Sequence, residues 1–296
     1  MRRGSLSASG IVGILTLSVL PFAVHAQENE KVRLERDVVF GKGGDTELKL
    51  DLAMPKGGEG PFPAIVCLHG GGWIAGERQQ MRGTIEVLAR RGYVAISPDY
   101  RLAPKDRFPA QIEDCKAAVR WLRANAEKYH INPQRIGAFG FSAGAHLASL
   151  LGVSRKDDGL EGRGGNDDRS SAVQAVVSFF GPTDFTQPVW SKELRERHLT
   201  PFLGGTAEEK TDLYRRASPL TYAGKHAPAF LFVHGTADTL VPIQQSEAMV
   251  EKLRQAGVSA RLIAVEGEGH GWGWQREHRL TSLARMMDFF DENLKK

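Results

Sequence analysis

Short, mostly apolar runs recur along the chain at Ala64–Leu68, Tyr93–Ser97, Ile136–Phe139, Ala175–Phe179, Ala229–Val233 and Ala260–Val265. Helical stretches lie between and after them, near Gln80–Arg91, Ile112–Lys128, Ser142–Leu151, Gln244–Gln255 and Glu277–Leu294. A strand that is apolar on successive residues must be covered on both faces, and helical connections are what parallel neighbours require. The alternation therefore predicts an α/β fold: a mostly parallel central sheet with helices on both faces. Two earlier segments, Val32–Phe40 and Thr46–Met54, alternate apolar and polar residues around Gly41-Lys42-Gly43-Gly44 and predict an antiparallel hairpin at the N-terminal edge. With 41% apolar residues the chain has enough material for one well-covered core.

Charge says little about partners. The net charge of +4 includes Arg2 and Arg3, which stand at the head of an apolar stretch, Ile11–Leu20, followed by Pro21 and the small-residue ending Val24-His25-Ala26. That order matches a signal peptide, and the apolar stretch is about half of the ~20 residues that a membrane-spanning helix needs. Residues 1–26 are expected to be removed on export to the periplasm or exterior. A single domain, 27–296, remains, without a membrane anchor and without a surface suited to nucleic acid. Cys67 and Cys115 both fall on packing positions and are expected as buried free thiols. The polar stretch Ser154–Ser171 reads as a solvated, flexible loop. Asp184–His226 connects two strands where functional loops emerge, and it is placed to form a partial cap.

The chemistry concentrates at strand ends. Gly140-Phe141-Ser142-Ala143-Gly144 follows a strand and opens a helix, so Ser142 is expected on a sharp turn with its hydroxyl clear of the sheet. A serine hydroxyl needs a base to take its proton and donors aimed at the oxyanion it creates. Gly71 and Gly72 of His69-Gly70-Gly71-Gly72-Trp73, with the Ala143 amide, are the expected donors. Of nine histidines, His270 in Glu268-Gly269-His270-Gly271-Trp272 is the expected base. His69, His146 and His234 read as structural, and His130, His198, His226 and His278 as surface residues. Asp238, between the serine and the histidine in the chain, is the expected carboxylate partner, with a helix-cap or turn aspartate as its rival role. Asp184 and Glu268 are weaker candidates. Trp73, Tyr100 and Trp272 are candidates for substrate lining. No metal-ligand spacing is present, and neither metal nor cofactor is expected.

In the order Ser142, Asp238, His270 the chain resembles the α/β-hydrolase superfamily. His69-Gly70-Gly71-Gly72, Tyr100-Arg101-Leu102-Ala103-Pro104 and Phe108-Pro109-Ala110 are similar to hormone-sensitive-lipase-like esterases, from which it departs in having Phe141 where an Asp is usual. The segments from Gly140 to Ala148, His234 to Asp238 and Gly269 to Trp272 resemble secreted acetylesterases of the acetylxylan and feruloyl type. The resemblance implies a secreted serine carboxylesterase with a Ser-His-Asp triad, acting on short-acyl esters of a small molecule or of plant polysaccharide. Kynurenine formamidases and prolyl-oligopeptidase-like peptidases share the same motifs, so an amide hydrolase is the alternative. A binding protein on a hydrolase scaffold is a third reading, against which the complete set of motifs argues. Oligomeric state is not legible.

Overall fold

The computed structural model describes residues 31–271 and 273–296. The signal-peptide expectation for 1–26 and the proposed role of Trp272 lie outside the described residues. One eight-stranded sheet runs through the molecule in the order β1-β2-β4-β3-β5-β6-β7-β8. Strands β1 (Val32–Gly43) and β2 (Thr46–Pro55) form the antiparallel hairpin, and β2 also pairs antiparallel with β4 (Val94–Pro98). From β4 onward through β3 (Phe62–Leu68), β5 (Ile131–Phe141), β6 (Ala175–Phe179), β7 (Ala229–Gly235) and β8 (Ala260–Val265) every pairing is parallel. This is the sheet that the alternation predicts. The hairpin turn is tighter than expected, because β1 continues to Gly43 and leaves only Gly44 and Asp45 outside the strands.

Two apolar layers account for the runs. In β3, Ala64, Val66 and Leu68 face a layer shared with helices α2 (Ala110–Ala124), α3 (Ala143–Val153) and α5 (Gln244–Gln255). Ile65 and Cys67 face the opposite layer, shared with α1 (Arg82–Arg90) and α6 (Arg276–Leu294). Cys67 and Cys115 are thus free thiols buried on opposite sides of the sheet.

Several charged side chains inside this frame are paired. Asp51, buried in β2, accepts from Arg78 Nε at 3.1 Å and Arg82 Nε at 2.7 Å, and Arg78 also bridges Asp37 and Asp99. Burial alone would raise the Asp51 carboxyl's pKa; the bonds from Arg82, the Asp37 amide and Arg78 outweigh it and hold it down. This cluster ties the segment after β3 to the sheet. The stretch 154–171 is a correction to the expected solvated loop. Leu160 is buried, and the Glu161 carboxylate receives Lys116 Nζ at 2.6 Å and Arg120 Nη1 at 3.0 Å. Two cations buried on α2 require an anion, and the loop supplies it.

Between β6 and β7 lie the helical turns Lys192–Leu194, Arg195–Leu199 and Thr200–Leu203, then α4 (Thr211–Ala217). Among the described residues no helix is long and apolar enough to cross a membrane.

Candidate active site

Ser142 sits between β5 and α3 with φ 52° and ψ −118°, a backbone conformation that costs a non-glycine residue of order 1–3 kcal/mol and persists only where its surroundings enforce it. The enforcement is visible. A Cβ at Gly140 would strike the Gly144 backbone, and one at Gly144 would strike the carbonyls of Leu68 and His69, so strand, turn and helix approach closely only because both positions lack side chains. The Ser142 hydroxyl makes no capping bond to α3 and is free for other chemistry. It donates to His270 Nε2 at 2.9 Å, and His270 Nδ1 donates to Asp238 Oδ2 at 2.7 Å. Three residues spread over 128 positions meet in one hydrogen-bonded line at the carboxyl ends of the parallel strands, where open α/β sheets place their ligands.

Asp238 makes the contacts of both roles considered for it. Its Oδ1 accepts the Leu240 and Val241 amides at 2.9 Å each, an Asx turn, while Oδ2 faces His270. His234 Nε2 stands 3.3 Å from the same Oδ2. Burial alone would push the Asp238 carboxyl's pKa up; hydrogen bonds from His234 and His270, the charge of His270 and the Val241 amide outweigh it and hold the group well below the usual carboxylate range. An ionised partner is therefore kept ready for an imidazolium. The His270 loop is braced by aromatic contacts: the Phe180 ring lies 4.8 Å from the imidazole, and Trp274 Nε1 donates to the Gly269 carbonyl at 2.7 Å. Phe141 packs among Phe139, Phe179 and Phe180, so the position that usually carries Asp is here part of an apolar support.

Gly71, Gly72 and Trp73 all have positive φ, of 120°, 60° and 63°. The turn is closed by the Ile74 and Ala75 amides on the Gly71 carbonyl. Among the described residues the Gly71 and Gly72 N–H groups have no acceptor, and the Ala143 N–H at the first turn of α3 has none within the helix. Gly71 and Gly72 border the same cavity as Ser142 and His270.

That cavity, about 270 Å³, is lined by Trp73, Phe185, Trp190, Leu194, Leu240 and Val241 around the serine and histidine. Clefts of about 630 and 750 Å³ border the 159–171 loop and contain ion pairs such as Arg101–Asp114 and Arg120–Glu161, whereas the smaller cavity holds Ser142 and His270. Among the described residues no group of three His, Cys, Asp or Glu side chains is placed to hold a metal.

The BD-FAE family profile matches residues 50–253, which include Ser142 and Asp238 within this geometry. The chain belongs to the BD-FAE family. Esterase LipC of Mycobacterium tuberculosis is 33% identical over 72% of this BD-FAE chain and 53% of its own length. The chain spans about half the length of the curated relatives it matches. Among solved structures, a truncated carbohydrate esterase from gut microbiota superposes with a TM-score of 0.77 at 30% identity, covering 89% of this chain and 97% of that one. Thermogutta terrifontis esterase 2 phosphonylated by sarin gives a TM-score of 0.77 at 28% identity, with 88% and 94% covered. These neighbours place the fold among the α/β-hydrolases.

Not every expected residue of the BD-FAE chain reaches the cavity. Tyr100 does not line it: the side chain is buried, stacked on His69 at 4.2 Å, and its hydroxyl donates to the His69 carbonyl. His69 in turn donates from Nδ1 to the Gly70 carbonyl, so this pair stiffens the glycine loop from behind. Trp73 does line the cavity, with its indole N–H committed to His146 Nδ1 at 3.1 Å. His146 Nε2 donates to the Ala217 carbonyl, and complete burial lowers the imidazole's pKa to about 4 despite that bond. Asp184 caps its own turn through Thr186 and Gln187, and Glu268 accepts from the Gln275 amide and His278 at the start of α6.

His198 corrects the opposite error. Expected at the surface, it lines the cavity from the helical turn Arg195–Leu199, with Nδ1 buried against Gly72. The charged neighbours Arg195, Glu196 and Arg197 disguise it. The spacing of four shared by Trp190, Leu194, His198 and Phe202 was the available signal, since it puts those side chains on one inward face.

Proposed function

We propose that this BD-FAE chain is a serine carboxylesterase that removes short acyl groups from carbohydrate esters, with acetylated plant polysaccharide of the acetylxylan type as the favoured substrate. The reading rests on the hydrogen-bonded line from Ser142 through His270 to Asp238 beside the unpaired amides of Gly71, Gly72 and Ala143.

Ser142 Oγ attacks the ester carbonyl carbon while its proton passes to His270 Nε2. Asp238 holds the Nδ1 proton, fixing the tautomer and stabilising the imidazolium. The carbonyl oxygen, now an anion, moves toward the N–H groups of Gly71, Gly72 and Ala143, helped by the positive end of α3. Collapse expels the alcohol, which takes the proton from His270 and leaves an acyl-serine. Water then gives a proton to His270 and attacks the acyl carbon; the bond to Ser142 Oγ breaks, Oγ takes the proton back from His270, and the acid departs. The strained turn presents Ser142 at the strand end, and the bond to His270 holds Oγ before substrate arrives.

The cavity's size supports short acyl groups, as it falls just below the ~300–1,000 Å³ of typical small-molecule sites. The carbohydrate esterase from gut microbiota supports the substrate class, and the leader-like residues 1–26 support work outside the cytoplasm on a polymer. Three measurements test the proposal. Ser142→Ala lowers kcat/KM on p-nitrophenyl acetate by about 10⁴–10⁶ with the melting temperature nearly unchanged. A serine-reactive phosphonate forms an adduct at Ser142 in the unmodified chain. A panel of p-nitrophenyl esters from acetate to palmitate, acetylated xylan, formylkynurenine and a peptide anilide peaks at the acetyl esters. Retained activity in the alanine variant removes the nucleophile, and a preference for palmitate or for amides overturns the substrate class.

A further inference from the structure

Within the cavity, nearly every polar side-chain group is already engaged. The Ser142 hydroxyl and His270 imidazole belong to the relay, the Trp73 indole N–H donates to His146, and the Trp190 indole N–H donates to the Asp184 carbonyl at 3.1 Å. Ile74, Phe185, Leu194, Leu240 and Val241 supply only apolar surface. His198 is the exception. Its ring makes no hydrogen bond with any described residue, and Nδ1 is shut off from water between the ring and Gly72. An unpaired polar atom in such a place is costly, and a ring turned so that a nitrogen meets a bound partner relieves that cost. The seat is built for the ring: a side chain at position 72 would collide with Nδ1, and the φ of 60° there already favours glycine.

We propose that His198 is a specificity residue that hydrogen-bonds a hydroxyl on the alcohol portion of the ester, so that the cavity prefers esters of polyhydroxylated alcohols over esters of bare hydrocarbon rings. The inference rests on the esterase reading and adds the feature of the substrate that is recognised. A short acyl chain has no polar group besides the reacting carbonyl, whose oxygen faces the glycine amides, so the single free imidazole serves the alcohol. Burial, with Arg197 close by, lowers the pKa of His198, opposed by Glu193. The neutral ring offers one donor and one acceptor, matching a hydroxyl, which does both. Turning the ring over leaves its outline unchanged and exchanges the edge that carries nitrogen, so the seat accommodates either orientation.

The test compares monoacetylated methyl xyloside with cyclohexyl acetate, two six-membered rings that differ in their hydroxyl groups. Steady-state kcat and KM are measured for the unmodified chain, His198→Phe and His198→Gln. The unmodified chain favours the sugar ester, His198→Phe lowers the ratio of the two kcat/KM values about tenfold through KM, and His198→Gln restores most of it. An equal loss on both substrates, as from a disturbed glycine loop, overturns the proposal, as does an unchanged ratio in His198→Phe. If His198→Phe fails to fold, His198→Asn, whose amide is too short to reach, takes its place: a lowered ratio supports the proposal and an unchanged ratio overturns it. Failure of the unmodified chain to turn over both cyclohexyl acetate and the sugar ester refutes the esterase reading itself.

Discussion

The floor and roof of the cavity are held in place by different means. At the floor, Ser142, the Gly71-Gly72 turn, Asp238 and His270 stand at strand ends, and main-chain bonds or glycine close approaches hold each of them. At the roof, Phe185, Trp190, Leu194 and His198 come from a connection between β6 and β7. A floor built from strand ends tolerates little change, because Ser142, His270, Asp238 and the Gly71 and Gly72 amides are all tied to the sheet. A roof built from side chains can change its shape one residue at a time without disturbing that chemistry. His146 marks the seam: it is bonded to Trp73 beside the glycine turn and to the Ala217 carbonyl of the roof connection.

The contrast can be broken most directly at Asp238. Asp238→Asn keeps an acceptor for the Leu240 and Val241 amides but offers His270 an amide in place of a carboxylate, so the favoured tautomer is lost. Steady-state assays are expected to give a kcat about 10⁴ lower, as the equivalent change does in other Ser-His-Asp enzymes. A loss under tenfold would mean that the carboxylate only closes its turn.

At the seam the effect is on stability. His146 is buried with its pKa lowered to about 4, against 6.5 for an exposed histidine. Above pH 6.5 neither state carries the proton; as pH falls from 6.5 toward 4 the unfolded chain takes it up and the folded chain does not, so stability is lost across that window, by about 3 kcal/mol in full. His146→Gln can accept from Trp73 and donate to Ala217 without titrating. Melting curves at pH 7 and pH 4.5 should show a smaller acid loss in the variant than in the unmodified chain, and equal losses would detach His146 from the acid response.

The roof should yield the smallest and most selective change. Leu194→Phe narrows the cavity, and the kcat/KM ratio of p-nitrophenyl butyrate to acetate is expected to fall about tenfold, the scale at which a hydrophobic pocket distinguishes a methylene or two. An unchanged ratio would place the acyl group away from the roof.

The same division explains what could be read from the residues. Floor positions carry local signals: Ser142 lies between glycines after an apolar run, three glycines end β3, and strands apolar on both faces announce that both faces are covered. Tyr100 misled because it also follows a strand, and its stack on His69 across 31 residues leaves no trace in spacing. Lys116 and Arg120, four apart on the apolar stripe of α2 beside Cys115 and Val119, meant that an anion had to be brought to them, which turned the polar stretch 154–171 inward. His198 was hidden because three charged neighbours outweighed its period-four partners. Roof residues act through tertiary contact, and composition around them describes only the side they turn to water.

Cys67 and Cys115 lie in separate layers with the whole sheet between them, and burial raises the pKa of both thiols. No crosslink can join them without unfolding the protein. In the folded chain, therefore, oxidants find no pair to lock and reductants no bridge to release.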